Sequence, residues 1–196
     1  MKLVLVALAG SGKTTIMNFV RERLPDVRIV NFGDAMLEIA RRKFGIENRD
    51  DMRKKIPVEE YRKIQEEAAE HIASIQGDVI IDTHASIKIG GGYYPGLPNR
   101  VVSKLRPDVI LVIEYSPKVI LERRRKDPTR FREIESEEEI EQHQQANRYF
   151  AFAAANASES TVHILDFRDK VEERPFVHAE LAAEYIVNLF LKARGK

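Results

Sequence analysis

The 196-residue sequence contains no cysteine and no tryptophan, and its charges nearly cancel. Without cysteine, neither disulfides nor thiolate metal sites can form. The formal net charge is only +1, so no overall field recruits nucleic acid. No apolar run is long enough to cross a bilayer. We therefore expect a cytoplasmic protein with no stable nucleic-acid or membrane partner, organised as one domain over residues 1–196.

A glycine-rich stretch follows the first apolar run. After Leu3 to Val6 the sequence reads A-L-A-G-S-G-K-T up to Thr14. Gly10 and Gly12 permit positive φ angles, so that backbone N–H groups can converge on phosphate oxygens. The stretch predicts a P-loop for ATP, with an ordinary Gly/Ser turn as the alternative. The expected ATP contacts are Ala9, Gly10, Ser11, Gly12, Lys13, Thr14 and Thr15.

Short apolar runs alternate with helical patterns along the rest of the chain. The runs are rich in Val and Ile, as expected for parallel strands covered on both faces. The alternation predicts an α/β fold: a five-stranded parallel sheet with helices on both faces. The predicted strands are 2–7, 27–31, 79–82, 109–114 and 162–166. The predicted helices are 13–24, 34–44, 58–75, 97–105, 117–126, 137–155 and 178–193, with Asp34 and Ser116 as N-caps.

Polar residues follow each predicted strand, at the edge where parallel sheets bind ligands. Asp82 is the most informative of them, because it ends an apolar strand where P-loop enzymes hold the water shell of Mg²⁺. A strand-end aspartate that caps a turn is the alternative. The D-x-x-G and N-K-x-D motifs of GTP switches do not occur in the sequence, so a GTP switch is excluded.

Residues 121–132 contain five arginines. Pro128 is expected to end the helix and to leave Arg130 and Arg132 in a loop. Cations packed this closely repel one another unless an anion joins them, and a lid closing on a phosphoryl group would supply one. We therefore predict a short lid at about 125–137. A solvated helix face paired with glutamates is the alternative.

Taken together, these motifs resemble the archaeal-type adenylate kinases, a P-loop nucleoside monophosphate kinase family. The resemblance implies phosphoryl transfer from MgATP to AMP, giving two ADP, in an enzyme that usually assembles as a homotrimer. It also implies the P-loop kinase fold, a five-stranded parallel sheet with a short lid, and an acceptor-binding helical region at about 31–76. The matching segments are N-F-G-D at 31–34, N-R-D-D-M-R-K at 48–54, D-T-H at 82–84, G-Y-Y-P-G-L-P at 92–98, D-P-T-R-F-R at 127–132 and N-R at 147–148.

The resemblance implies roles for individual residues as well. Thr14 and, through water, Asp82 would hold Mg²⁺. Arg168 lies in a segment, 167–174, that would wall the adenine of ATP. For Arg53 a surface ion pair with Asp50 or Asp51 is the alternative to an AMP contact. The implied AMP-binding residues are Gly33, Asp34, Arg53, Thr83 and His84. The implied catalytic residues are Lys13, Arg123, Arg130, Arg132 and Arg148.

Several interpretations stay open in the sequence. His84 looks like a base, but phosphoryl transfer needs little proton abstraction, so we expect a positioning residue. Gly90 to Gly92 is interpreted as a flexible lid over the acceptor rather than a second phosphate cradle. Tyr149 to Phe152 is either an interface or a helix face in the core. The alternative functions are another P-loop nucleoside monophosphate or small-molecule kinase, and an ATP-dependent RNA or ribosome assembly factor with weak kinase activity.

Overall fold

Seven strands form two separate sheets in the structure, a computed structural model that describes residues 1–126 and 135–195. The five predicted strands all exist, each with boundaries within one residue of the prediction. The strands are β1 (Lys2–Val6), β2 (Arg28–Asn31), β3 (Val79–Thr83), β4 (Ser86–Ile89), β5 (Gly92–Pro95), β6 (Val109–Tyr115) and β7 (Thr161–Phe167). The larger sheet is parallel throughout, in the order β2-β3-β1-β6-β7, which confirms the predicted fold class.

Eight helices occur in the described ranges, one more than predicted. They are α1 (Lys13–Arg23), α2 (Phe32–Phe44), α3 (Arg49–Lys55), α4 (Val58–Ala73), α5 (Asn99–Leu105), α6 (Pro117–Arg125), α7 (Glu137–Ser158) and α8 (Val177–Ala193). The unpredicted helix, α3, is a seven-residue polar segment with Met52 as its buried side chain. No helix within the described ranges is long and apolar enough to cross a membrane.

The core lies in two layers because successive side chains of a strand point to opposite faces of the sheet. Val4 and Val6 of β1 pack with helices α2, α4, α5 and α7. Leu3 and Leu5 pack on the other face with α1 and α8. All four side chains are fully buried, which explains why the strand reads as a continuous apolar run.

The start of α2 differs from the prediction. Asn31, not Asp34, is the N-cap, and its side-chain oxygen accepts a hydrogen bond from the Asp34 backbone N–H at 3.1 Å. The helix therefore begins at Phe32, and Asp34 lies in its first turn, where its charge complements the helix dipole. The other predicted cap, Ser116, is the N-cap of α6, with Pro117 following it.

The second sheet is an antiparallel hairpin that the sequence did not predict. Strands β4 and β5 pair from Ser86 with Pro95 to Ile89 with Gly92. Gly90 and Gly91 form the turn, and both are exposed. The interpretation of this stretch as a flexible lid stays a prediction, but the stretch is the tip of a hairpin that leaves the end of β3.

Candidate active site

The P-loop connects β1 to α1 and lines a cavity of about 740 Å³. Gly10 and Gly12 have φ angles of 93° and 79°, values that glycine adopts without strain. Between them, the Ser11 hydroxyl donates a hydrogen bond to the Leu8 carbonyl and closes the turn. All seven residues from Ala9 to Thr15 line the cavity. The N-terminus of α1 points the same way, which favours an anion there.

Lys13 is largely buried, although a P-loop lysine is expected to face solvent before a nucleotide binds. Its side chain is 11% exposed, and its Nζ lies 2.7 Å from Asp82 Oδ1. The same ammonium donates a hydrogen bond to the Thr83 carbonyl at 3.0 Å. The other carboxylate oxygen of Asp82 accepts a hydrogen bond from Asn31 Nδ2 at 2.8 Å. The residues that end β2 and β3 are thus brought directly to the P-loop.

His84 lies beside this ion pair and lines the cavity. Its Nδ1 is 2.9 Å from the Ala7 carbonyl, and a carbonyl accepts, so Nδ1 carries the proton. The Lys13 ammonium and burial hold the pKa of His84 well below its usual range. His84 is therefore neutral at pH 7, with Nε2 as an acceptor, and it supplies no positive charge to a phosphate.

Helices α2 and α3 meet on the opposite side of the cavity. Arg49 donates a hydrogen bond to Asn31 Oδ1 at 2.8 Å and forms an ion pair with Asp34, and all three residues line the cavity. Gly33 lies beneath this contact, since a Cβ there would come 3.1 Å from Arg49. Arg53 is exposed and donates to the Tyr61 hydroxyl at 3.3 Å. Sequence analysis missed Arg49 because α3 gave no apolar periodicity.

Arg123 reaches the P-loop from α6. Its guanidinium lies 3.4 Å from the Ser11 carbonyl and 3.2 Å from Glu172 Oε2. It also lies over the Tyr115 ring, 4.6 Å from the centroid, which is a cation–π contact. Glu172 belongs to the segment that was expected to wall adenine, and both Glu172 and Phe176 line the cavity. Phe167, at the start of that segment, is buried in a stack between Tyr115 and His178.

Arg148 and Arg168 meet at one buried carboxylate. Glu114, 2% exposed, accepts two hydrogen bonds from Arg148 of α7, one of them at 3.0 Å. Arg168 lies 3.6 Å from the same carboxylate and also pairs with Asp166 and Glu141. The hydrogen bond to Glu114 raises the pKa of Arg148 above its usual value. Within the described residues, the cavity lining includes neither arginine.

The remaining two predicted catalytic arginines, Arg130 and Arg132, lie outside the described residues. Helix α6 contributes one P-loop contact that sequence analysis missed. Arg124 donates a hydrogen bond to the Ala9 carbonyl at 2.8 Å. The arginine run of the sequence was the available signal, but it did not indicate which members face the loop.

No group of three or more His, Cys, Asp or Glu side chains among the described residues is arranged to hold a metal ion. The oxygen donors beside the P-loop are the Thr14 hydroxyl and the Asp82 carboxylate, both of which line the cavity. Hard oxygen donors of this kind fit Mg²⁺, which keeps several waters and needs few protein ligands.

Known proteins resemble this chain over its whole length. A family model described as an AAA domain matches residues 6–141. The adenylate kinase of Pyrobaculum aerophilum is 76% identical over 196 residues, which cover all of both chains. The adenylate kinase of Methanothermobacter thermautotrophicus is 44% identical over 168 residues, 84% of this chain and 90% of its own. That of Thermoplasma acidophilum is 41% identical over 165 residues, 84% and 88% of the two chains.

Two solved structures share the fold. Shikimate kinase from Bacteroides thetaiotaomicron superposes with a TM-score of 0.60 at 16% identity, over 96% of this chain and 97% of its own. Shikimate kinase from Acinetobacter baumannii, solved in complex with shikimate, gives 0.59 at 16% identity, over 100% and 95% of the two chains. At this identity the likeness concerns the fold alone.

Proposed function

Because the chain belongs to the archaeal adenylate kinase family, we propose that it transfers a phosphoryl group reversibly from MgATP to AMP, giving two ADP. One observation carries the proposal: the P-loop and the start of α2 line the same cavity, with Lys13, Asp82 and His84 between them. This arrangement supplies two anion-binding helix N-termini facing one space. A donor phosphate and an acceptor phosphate would both find positive ends there.

In the reaction, an oxygen of the AMP phosphate forms a bond to the γ-phosphorus of ATP. The bond from that phosphorus to the β,γ-bridging oxygen breaks, and ADP leaves. Charge spreads over the equatorial oxygens during transfer, so fixed cations stabilise the transition state more than the ground state. The protein's task is therefore to place cations and to exclude water.

On the donor side, backbone N–H groups of Ala9 to Thr15 would bind the ATP phosphates, with Lys13 at the β- and γ-phosphates. Thr14, and Asp82 through water, would hold Mg²⁺, which would neutralise part of the phosphate charge. The Lys13–Asp82 ion pair supports this assignment, because a nucleotide phosphate can replace Asp82 as the partner of Lys13. Asp82 would then be available to accept hydrogen bonds from the water ligands of Mg²⁺. Arg168 would contribute at the adenine end.

On the acceptor side, residues of the helical region 31–76 and the end of β3 would bind AMP. Gly33 and Asp34 lie in the first turn of α2, and Arg53 is the exposed guanidinium assigned to the AMP phosphate. Thr83 and His84 would lie between the two nucleotides. Since the pKa of His84 is low, its neutral ring would orient the acceptor rather than neutralise it.

Four arginines would surround the transferred group: Arg123, Arg148 and the two lid residues Arg130 and Arg132, in a single domain with the lid at about 125–137. The position of Arg123 beside the Ser11 carbonyl supports its share in this role. Arg148 is held by Glu114 on the next strand end, so its role requires that it exchange this partner for phosphate.

We also propose a cytoplasmic homotrimer. Support comes from α7, where the Tyr149 and Phe152 side chains are 71% and 51% exposed although Ala151 between them is buried. The expectation that this stretch is a helix core face thus applies to Ala151 and, in part, to Phe150, which packs against the core. Sedimentation should give three times the 22.5 kDa chain mass, and replacing Tyr149 and Phe152 with serine should shift it toward the monomer.

The test of the proposed activity is an acceptor panel. ADP formation from MgATP is measured with AMP, CMP, UMP, dTMP or shikimate as the acceptor. The Lys13→Ala variant, purified by the same procedure, is the control for contaminating kinases. We expect the highest kcat/KM for AMP. A higher kcat/KM for any other acceptor would overturn the proposal.

A further inference from the structure

Arg124 contacts the P-loop from outside the cavity. Its Nε donates to the Ala9 carbonyl, 2.8 Å away. Its Cγ lies so close to Gly10 that a Cβ on that residue would come within 2.8 Å. Among the described residues that line the cavity, Arg123 is present and Arg124 is not. Arg123 and Arg124, neighbours on α6, thus contact the P-loop differently. Arg123 lines the cavity, whereas Arg124 contacts the loop backbone.

The Glu135 carboxylate, just before α7, holds Arg124 in place. Glu135 forms an ion pair with the Arg124 guanidinium, and the two side chains are only 14% and 9% exposed. Glu135 also lies 3.1 Å from Lys88 of the β4–β5 hairpin, and Lys88 in turn pairs with Glu139 at 2.8 Å. Burial opposes the Glu135 charge, but hydrogen bonds from Arg124 and Lys88 outweigh it and lower its pKa.

The geometry assigns Arg124 and Glu135 to a brace that fixes the P-loop in its nucleotide-binding conformation, which makes both of them positioning residues for the ATP phosphates. Arg124 orients the Ala9 peptide, and the N–H groups that follow it depend on that orientation. Glu135 restricts the guanidinium to this one orientation. Without Glu135, a largely buried cation beside the loop would have to find another partner.

This inference deepens the proposed function and rests on it, because it assumes that the loop binds ATP. Its test needs no acceptor. The dissociation constant of AMPPNP with Mg²⁺ is measured by calorimetry for the wild type, Arg124→Met, Arg124→Lys, Glu135→Gln and the control Glu70→Gln. Glu70 forms an exposed ion pair with Lys104 between α4 and α5, away from the loop. The dissociation constant of AMP is measured for the same proteins.

We expect Arg124→Met to weaken AMPPNP about tenfold, the typical loss for a charged hydrogen bond. Arg124→Lys should recover part of this loss, because its ammonium can donate to the Ala9 carbonyl. Glu135→Gln should weaken AMPPNP about threefold. AMP binding should stay within about twofold of wild type throughout, as should both ligands for Glu70→Gln. In the nucleotide-free protein, amides of residues 8–15 should exchange faster in Arg124→Met.

Unchanged AMPPNP binding in Arg124→Met, beside normal wild-type binding, would overturn the brace alone. Equal losses for AMPPNP and AMP would also overturn it, since they indicate general damage. If Arg124→Met does not fold, Glu135→Gln decides, because it must weaken AMPPNP selectively. A wild-type chain that binds no AMPPNP would overturn the proposed function as well.

Discussion

The Lys13 ammonium and the Asp82 carboxylate form an ion pair beside the P-loop, 2.7 Å apart. The cation that would bind phosphate and the carboxylate that would face Mg²⁺ thus neutralise each other. The pair explains how two opposite charges stay largely buried at one edge of the sheet: Lys13 is 11% exposed and Asp82 18%. In the proposed function, the pair would exchange partners when a nucleotide phosphate binds Lys13.

Lys13→Ala should lower kcat by roughly 10²–10³-fold or more, the usual loss when a charge-stabilising donor is removed. Circular dichroism should show a folded protein, because Asn31 still binds Asp82. The matched control is Lys43→Ala, which breaks the exposed pair with Glu67 and should leave kcat unchanged. A Lys13→Ala protein with more than about a tenth of wild-type turnover would refute the P-loop assignment.

Arg53→Ala should raise KM for AMP and leave KM for ATP nearly unchanged, because Arg53 is assigned to the acceptor phosphate alone. Arg130→Ala and Arg132→Ala should instead lower kcat roughly 10²-fold, as expected for cations that act mainly in the transition state. Steady-state kinetics with both substrates varied distinguishes these profiles. Tyr61→Phe is the control for Arg53, since it removes only the hydroxyl that Arg53 contacts. Identical profiles for Arg53→Ala and Arg130→Ala would argue against separate roles.

Gly96→Ala should destabilise the protein by about 2–3 kcal/mol, because backbone rather than a movable side chain occupies the space. A Cβ at Gly96 would lie 1.9 Å from the His84 carbonyl oxygen. Gly91→Ala is the matched control, since no atom lies within 4 Å of its Cβ position, and its cost should stay below about 0.5 kcal/mol. Urea unfolding measures both. Because the added methyl group would displace His84, Gly96→Ala should also raise KM for AMP. Equal stability of the two variants would contradict the close approach of Gly96 to the His84 backbone.

The low pKa of His84 predicts a loss of stability in acid. The unfolded chain binds a proton on this residue below about pH 6.5, whereas the folded chain does so only at lower pH. Unfolding therefore takes up protons in this window, and the free energy of unfolding falls as the pH is lowered. Guanidinium unfolding at pH 7.5 and 5.5 should show a smaller difference for His84→Asn than for wild type. Equal differences would refute the low pKa.

The sequence predicted the parallel strands because their burial on both faces requires uninterrupted apolar runs, as in Val79 to Ile81. It did not predict α3, whose seven residues include one buried side chain, or the hairpin, whose strands have four residues each. Their positions depend on tertiary contacts such as that of Ser86 with Asn147, 61 residues away. The local sequence pattern around either residue does not predict a contact between residues so far apart in the chain.

The same distinction applies to the candidate site. Residues 9–15 and Asp82 were predicted because glycine spacing and the end of an apolar run are local patterns that can be recognised in the sequence. Arg49 and Arg124 were not, because a charged residue on a helix looks the same whether it faces water or a loop. The link between Arg148 and Glu114 joins residues 34 positions apart, and it follows from the order of the strands.

The central place of β1 in the sheet has an evolutionary consequence. Strands β3 and β2 lie on one flank of β1, and β6 and β7 lie on the other. If the β2–β3 flank holds the acceptor, as proposed above, it could diverge toward a new acceptor while the rest of the site keeps its nucleotide. A shikimate kinase of 16% identity shares this fold. Chimaeras that exchange residues 31–76 between family members should therefore transfer acceptor choice as a unit.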